Sequence, residues 1–245
     1  MKNFLSIGLL CLGLILPLSL HAQDVNKSLK PKHDSWDNLL KQHVDEAGWV
    51  DYAGFENDRA ALNKYLDVLQ QATPTDNWTR EERLAYYINV YNAYTVELIL
   101  QNYPVKSIKD IKTPWKQQLV RIGDKNLSLN DVEHEILRKM DEPRIHFAIN
   151  CASVSCPRLL DEAFTAEKLE GQLDRLTREF LNSDKNRYGK KKAQLSPIFK
   201  WFTKDFQVDG KKDVIGFINP YLEVPLDPKT KISYLEYDWN LNEAQ

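Results

Sequence analysis

The spacing of apolar positions predicts helices first. "DSWDNLLKQHV" places Trp36, Leu39, Leu40 and Val44 at helical intervals behind a candidate N-cap, Asp34. Asn57 or Asp58 opens a second stripe of Leu62, Tyr65, Leu66 and Leu69. The longest helix lies in "TREERLAYYINVYNAYTVELILQNYP", where Thr79 and Glu82 form a capping box and Pro104 lies past the end. Its many aromatic and aliphatic residues predict burial on most sides. "QQLVRIGDKNLSL" reads as a hairpin turning at Gly123-Asp124. Ser128 then caps a helix, with Asp131 in the capping-box position.

"RIHFAIN" is the best strand pattern in the chain, with Ile145, Phe147 and Ile149 on one face and His146, Ala148 and Asn150 on the other. A further amphipathic helix is expected from Thr165, a strand and short helix in "KKKAQLSPIFKWF", a helix in "DVIGFINPYL", and a last strand in "KISYLEYDWNLN". Early helices and short late strands predict an α+β fold, a helix-rich single domain packed on a small, mostly antiparallel sheet.

The N-terminus differs in kind. A lysine at position 2, an apolar run from Phe4 to Leu20 and a small residue at Ala22 read as a secretory signal peptide over 1–22, cut after Ala22. A polar linker (23–33), a helical preface (34–77) and a core (78–242) complete the expected organisation, with preface and core as one compact unit. Cleavage leaves no membrane span and places the protein in the periplasm or the medium. The formal charge of the whole chain is −2, and loss of Lys2 makes it more negative. That balance gives no reason to expect nucleic acid. Cys11 leaves with the leader, so Cys151 and Cys156 remain, in a compartment that permits a disulfide between them.

Candidate chemistry comes from polar residues at apolar positions. On a helix from Leu129, Glu133 falls within the arc of Val132, Ile136 and Met140, with His134 near its edge. A carboxyl there is either an acid/base or orienting group, or half of a structural salt bridge to Arg144. His146 sits in the predicted strand, as a fixed core histidine or a base. Asn89 and Asn92, one turn apart on the long helix, suggest a buried polar network or a pocket wall. Asp205 and Asp238, flanked by large apolar residues, suit turns rather than chemistry.

Cys151 follows directly on His146, Phe147 and Asn150, and three readings stay open. As a nucleophile it would use His146 or His134 as base and Glu133 as orienter, with Asn89 or Asn92 polarising an acyl oxygen. As half of a Cys151–Cys156 bond it would brace a binding or envelope-associated domain whose pocket includes Asn150, Arg144 and Ser155. The third is a metal-dependent site using Glu133, the histidines and a thiolate, although the spacing of Cys151, Cys156, His134 and His146 matches no standard zinc pattern and no cofactor is assigned. The partner expected is a small molecule or an envelope protein. The binding reading leads, because the sequence alone supplies no positive catalytic signature.

"LAYYINVYNAYTV", "LSLNDVEHEILR", "PRIHFAINCASVSCP" and "YDWNLN" together resemble the domain-of-unknown-function 547 family, over roughly Trp78 to Asn242. That family appears widely in exported bacterial proteins, and also in plant and animal proteins. The resemblance emphasises Asn89, Tyr91, Asn92, Glu133, His134, Arg138, Arg144, His146, Phe147, Cys151, Ser155, Cys156, Pro157, Asp238 and Trp239. It implies no activity. A similarity to papain/transglutaminase-like thiol folds goes with it, although there the cysteine precedes the histidine, and here both histidines precede Cys151.

Overall fold

The computed structural model describes residues 30–244, so the expected signal peptide and most of the linker lie outside the described residues. Three helices open the fold: α1 (Asp34–His43), α2 (Tyr52–Asn57) and α3 (Arg59–Gln71). Asp34 lies in the first turn of α1 rather than at its cap, and α2 fills the stretch between the two predicted helical stripes. Trp36 stacks on Tyr65 at 5.6 Å, which joins α1 to α3.

The centre is α4 (Arg80–Leu100), buried at every position from Ile88 onward. Its start is fixed as the sequence predicts: Glu82 N–H donates to Thr79 Oγ1 (3.2 Å), and Thr79 N–H donates to Glu82 Oε2 (2.7 Å). Thr79→Ala removes the cap acceptor and is expected to cost about 1 kcal/mol. A lowered urea midpoint with an unchanged denaturant dependence is the result to look for.

A hairpin follows, β1 (Val120–Ile122) and β2 (Lys125–Leu127), turning at Gly123 with φ +56°. Helix α5 (Leu169–Leu181) leads into β3 (Arg187–Tyr188) and β4 (Lys192–Leu195), then α6 (Ile198–Trp201). A second hairpin, β5 (Gln207–Val208) and β6 (Lys211–Lys212), precedes α7 (Val214–Ile218) and β7 (Lys231–Tyr234). In the three-stranded sheet β3 pairs antiparallel with β4, and β4 pairs parallel with β7. The fold is α+β, with small sheets of mixed direction at the side of a helical core. Among the described residues no helix is long and apolar enough to cross a membrane.

Two segments depart from the pattern. "RIHFAIN" is not a strand: Pro143–Phe147 is a 3₁₀ helix, capped by Glu142, which accepts from Arg144 N–H. Ile145, His146 and Phe147 are all buried, so no face alternates with solvent. A short apolar run enclosed on all sides has no periodicity that separates strand from helix. Phe147 packs among Phe180, Phe199 and Phe206 at 5.2–6.1 Å, which pins the turn. The helix after Ser128 begins with the expected box, Ser128 N–H and Oγ donating to Asp131, but it runs as a π-helix over Asp131–Ile136 and a 3₁₀ helix over Leu137–Met140. π-turns concentrate at functional sites.

Candidate functional site

The cysteine loop is held by buried amides. Asn92 Nδ2 donates to Ala148 O (2.9 Å), and its Oδ1 accepts from Asn150 N–H (2.8 Å). Asn150 Nδ2 donates to Pro157 O (2.7 Å), and its Oδ1 accepts from Ala152 N–H (2.8 Å). Ala152 sits at φ +56°, a left-handed conformation unusual for a residue with a Cβ. The C-terminal segment closes the other side. Val154 and Ser155 N–H donate to Asn240 and Asp238 carbonyls, and Asp238 N–H donates to Ser155 Oγ (2.8 Å).

This frame presents Cys151, half-buried, to a cavity of about 210 Å³. Its lining combines the polar side chains of Glu133, His134, His146 and Tyr91 with the large aromatic rings of Trp115, Trp201, Phe202, Tyr237 and Trp239. Tyr237 and Trp239 lie 4.4 Å apart, with Trp201 4.9 Å from Tyr237 and Trp115 5.8 Å from Trp239.

Both cysteines are free thiols, so the braced loop expected from a disulfide is replaced by hydrogen bonding. Cys151 N–H donates to Cys156 Sγ (2.9 Å). Cys151 Sγ lies 3.1 Å from Ser153 Oγ and 3.2 Å from Tyr237 Oη. The hydrogen bond with Cys156 lowers the Cys151 pKa; burial opposes it, and Ser153 and Tyr237 reinforce it. Burial drives the Cys156 thiol the other way, well above the usual range. Of the two sulfurs, Cys151 is therefore the more acidic.

The histidines are told apart by their partners. His146 Nε2 lies 2.8 Å from Asp205 Oδ2, and its ring stacks on Phe202 at 4.1 Å. Burial pushes the Asp205 carboxyl up, but hydrogen bonds from Arg138 and His146 outweigh it and hold the group well below the usual carboxylate range. An ionised carboxylate only accepts, so Nε2 carries the proton and Nδ1 of the neutral ring keeps its lone pair. Burial keeps His146 neutral by lowering its pKa, partly offset by Asp205. His134 Nδ1 faces Arg138 Nη1 at 3.0 Å. A guanidinium only donates, so the His134 lone pair is already engaged. Burial, then Arg138, lowers its pKa. His146 is thus the ring with a free basic nitrogen.

Glu133 is 7% exposed and does not meet Arg144. Its one hydrogen bond among the described residues is with Tyr91 Oη, at 3.4 Å. Burial, then repulsion from Cys151, raises its pKa to about 7 against the pull of Arg138 and Tyr91. Arg144 instead pairs with Glu142 (2.7 Å) and Glu170 (2.6 Å), away from the cavity. Asn89 exchanges two hydrogen bonds with the Phe164 backbone. Asn89, Asn92, Asn150, Arg144 and Ser155 therefore build the frame, while Glu133, His134, His146 and Cys151 reach the cavity.

The sequence pattern suits Asp205 to a turn, and its place beside His146 is the main correction. The available signal is its position among Trp201, Phe202 and Phe206, where an aspartate requires partners. The C-terminal aromatics are likewise legible only as apolar positions. Among the described residues no group of three or more His, Cys, Asp or Glu is placed to hold a metal ion.

No curated protein and no solved structure matches the chain. Residues 75–181 match the model of a family described as "Protein of unknown function, DUF547". The matched stretch contains Glu133, His134, His146 and Cys151; Asp205 and "YDWNLN" lie beyond it. Across that stretch the chain is similar to the DUF547 family.

Proposed function

We propose that this protein is a thiol-dependent acyl hydrolase or acyl-transferase, exported across the inner membrane, with Cys151 as nucleophile, His146 as base and Asp205 as the group that orients the base. The observation that carries this reading is that His146, which lines the cavity together with Cys151, is hydrogen-bonded at 2.8 Å to Asp205 in the wall of a neighbouring cavity. A nucleophile and a base that share a pocket, with the base held by a third group behind it, is the general arrangement for covalent catalysis.

The Cys151 proton passes to His146 Nδ1, and the sulfur attacks the substrate carbonyl carbon. The C–S bond forms while the C=O π pair moves to oxygen. Collapse of the tetrahedral species expels the leaving oxygen or nitrogen, which takes the proton from His146. Water then attacks the thioester, His146 accepts its proton, and C–S cleavage returns that proton to Cys151. An amine or alcohol in place of water makes the same steps a transfer. The aromatic residues in the cavity lining favour an apolar or aromatic acyl group.

One observation favours a non-catalytic small-molecule binding domain instead. The Cys151 sulfur is hydrogen-bonded to Ser153 and Tyr237 and, among the described residues, to no histidine. The two readings separate on thiol reactivity. For a nucleophile, the rate of alkylation by iodoacetamide, followed by peptide mapping at Cys151, rises with pH to a plateau. Its midpoint lies below the ~8.5 of an ordinary thiol. p-Nitrophenyl butyrate then gives a burst of p-nitrophenol and an acyl group mapped to Cys151. A midpoint at or above the ordinary thiol value, with no acyl-enzyme formed, supports the binding domain.

A further inference from the structure

An acyl-transfer site needs hydrogen-bond donors where negative charge develops on the carbonyl oxygen. The backbone N–H of the nucleophile is the nearest such donor, and here it is engaged: Cys151 N–H donates to Cys156 Sγ at 2.9 Å. Asn89 and Asn92, the amides that the sequence offers for this role, are hydrogen-bonded to backbone at both ends. The same cavity is lined by the Glu133 carboxyl, more than nine-tenths buried, which among the described residues has a single long hydrogen bond, to Tyr91 (3.4 Å), and no ion pair.

We infer that Glu133 is a catalytic residue acting as a carboxylic acid: its O–H donates to the carbonyl oxygen of the acyl group attacked by Cys151, with Tyr91 holding the carboxyl in place. This deepens the thiol-acylation reading and rests on it. A buried acid that stays protonated near neutrality is a known means of building an oxyanion site. The surroundings of Glu133 agree in sign. Burial and the Cys151 charge favour the neutral form, and Asp205 adds to them; Arg138 and the Tyr91 hydroxyl oppose. His134, His146, Cys156 and Tyr237 complete the titratable groups in the cavity wall. The donor is present below pH about 7 and is lost as pH rises through that value. During attack the Glu133 proton stays on the carboxyl as a hydrogen-bond donor. No atom is transferred from Glu133, and the proton balance of the reaction is unchanged.

The test compares two reactions of one sulfur. Alkylation of Cys151 by iodoacetamide passes through no oxyanion, whereas acylation by p-nitrophenyl butyrate does. The ratio of the acylation rate to the alkylation rate therefore isolates oxyanion stabilisation and cancels the thiolate fraction. At pH 6, Glu133→Ala is expected to lower that ratio by about 10²-fold. Glu133→Gln, which keeps an N–H donor in nearly the same volume, should stay within about tenfold of the parent. The parent ratio should fall as pH is raised past 7, and the Glu133→Gln ratio should stay flat.

An unchanged ratio in Glu133→Ala overturns the assignment. Because the alanine variant leaves a cavity, the glutamine variant serves as an independent check. If folded Glu133→Gln, verified by circular dichroism, loses the ratio as the alanine does, or keeps the parent's pH dependence, the assignment fails. A parent enzyme that is alkylated at Cys151 but never acylated sinks the acyl-transfer reading itself, a result distinct from either.

Discussion

Asp205→Asn is expected to lower steady-state hydrolysis of a p-nitrophenyl ester by about 10³–10⁴-fold, while Cys151 still alkylates at its plateau rate. Asp205 offers both oxygens to the Arg138 guanidinium, at 2.6 and 2.7 Å, and Oδ2 also receives His146 Nε2–H at 2.8 Å. An asparagine has one oxygen and one NH₂ for these three donors. If the amide oxygen stays beside His146, the NH₂ faces an Arg138 donor. If the amide flips to relieve that clash, the NH₂ faces His146. The ring must then accept at Nε2 and move its proton to Nδ1. The lone pair on Nδ1, the nitrogen proposed as the base, is lost, and deacylation, which would depend on it, slows most. The Cys151 thiol is tuned by Cys156, Ser153 and Tyr237, so alkylation is spared. Arg138 and Asp205 are both partly exposed, so the lost pair is expected to cost only about 1–2 kcal/mol after solvent screening. A large loss in turnover with a small shift in urea midpoint is the signature. Equal loss of turnover and alkylation would point to collapse of the pocket instead.

Asn92→Ala is expected to destabilise the fold by about 2–5 kcal/mol, the largest stability effect at any site residue. Asn92 is 2% exposed and satisfies two backbone groups, Ala148 O and Asn150 N–H, neither of which has water to turn to. Each buried backbone group left unpaired costs about 1–3 kcal/mol. The loop from Ala148 to Cys151 is also where the backbone enters its left-handed turn at Ala152. Relaxing that turn should move Cys151 away from Tyr237. Chemical denaturation gives the first number, and the Cys151 alkylation midpoint gives the second. The midpoint is expected to rise toward that of an ordinary thiol. Wild-type stability in this variant would mean that water or a neighbouring group replaces the amide, and that the loop stands without it.

Much of the fold is readable from the chain alone. The capping boxes at Thr79 and Ser128, the buried long helix, the Gly123 turn and the amphipathic α5 follow from spacing and local chemistry, which act within a few residues. The sequence also singles out Glu133, His134, His146 and Cys151, because each is a polar or reactive group where its neighbours demand burial. It cannot set their partners. His134 and His146 are equivalent candidates in sequence. They are separated only by Arg138, which takes the lone pair of one, and by Asp205, which arrives from 59 residues beyond His146 to orient the other. Whether Asn92 polarises a substrate or pins a loop, whether Glu133 meets Arg144 or Tyr91, and whether two cysteines bond or hydrogen-bond are all questions of long-range contact. Periodicity reports which side of an element is buried. It carries no information on what is buried against it, and the ionisation of every group in this cavity depends on that.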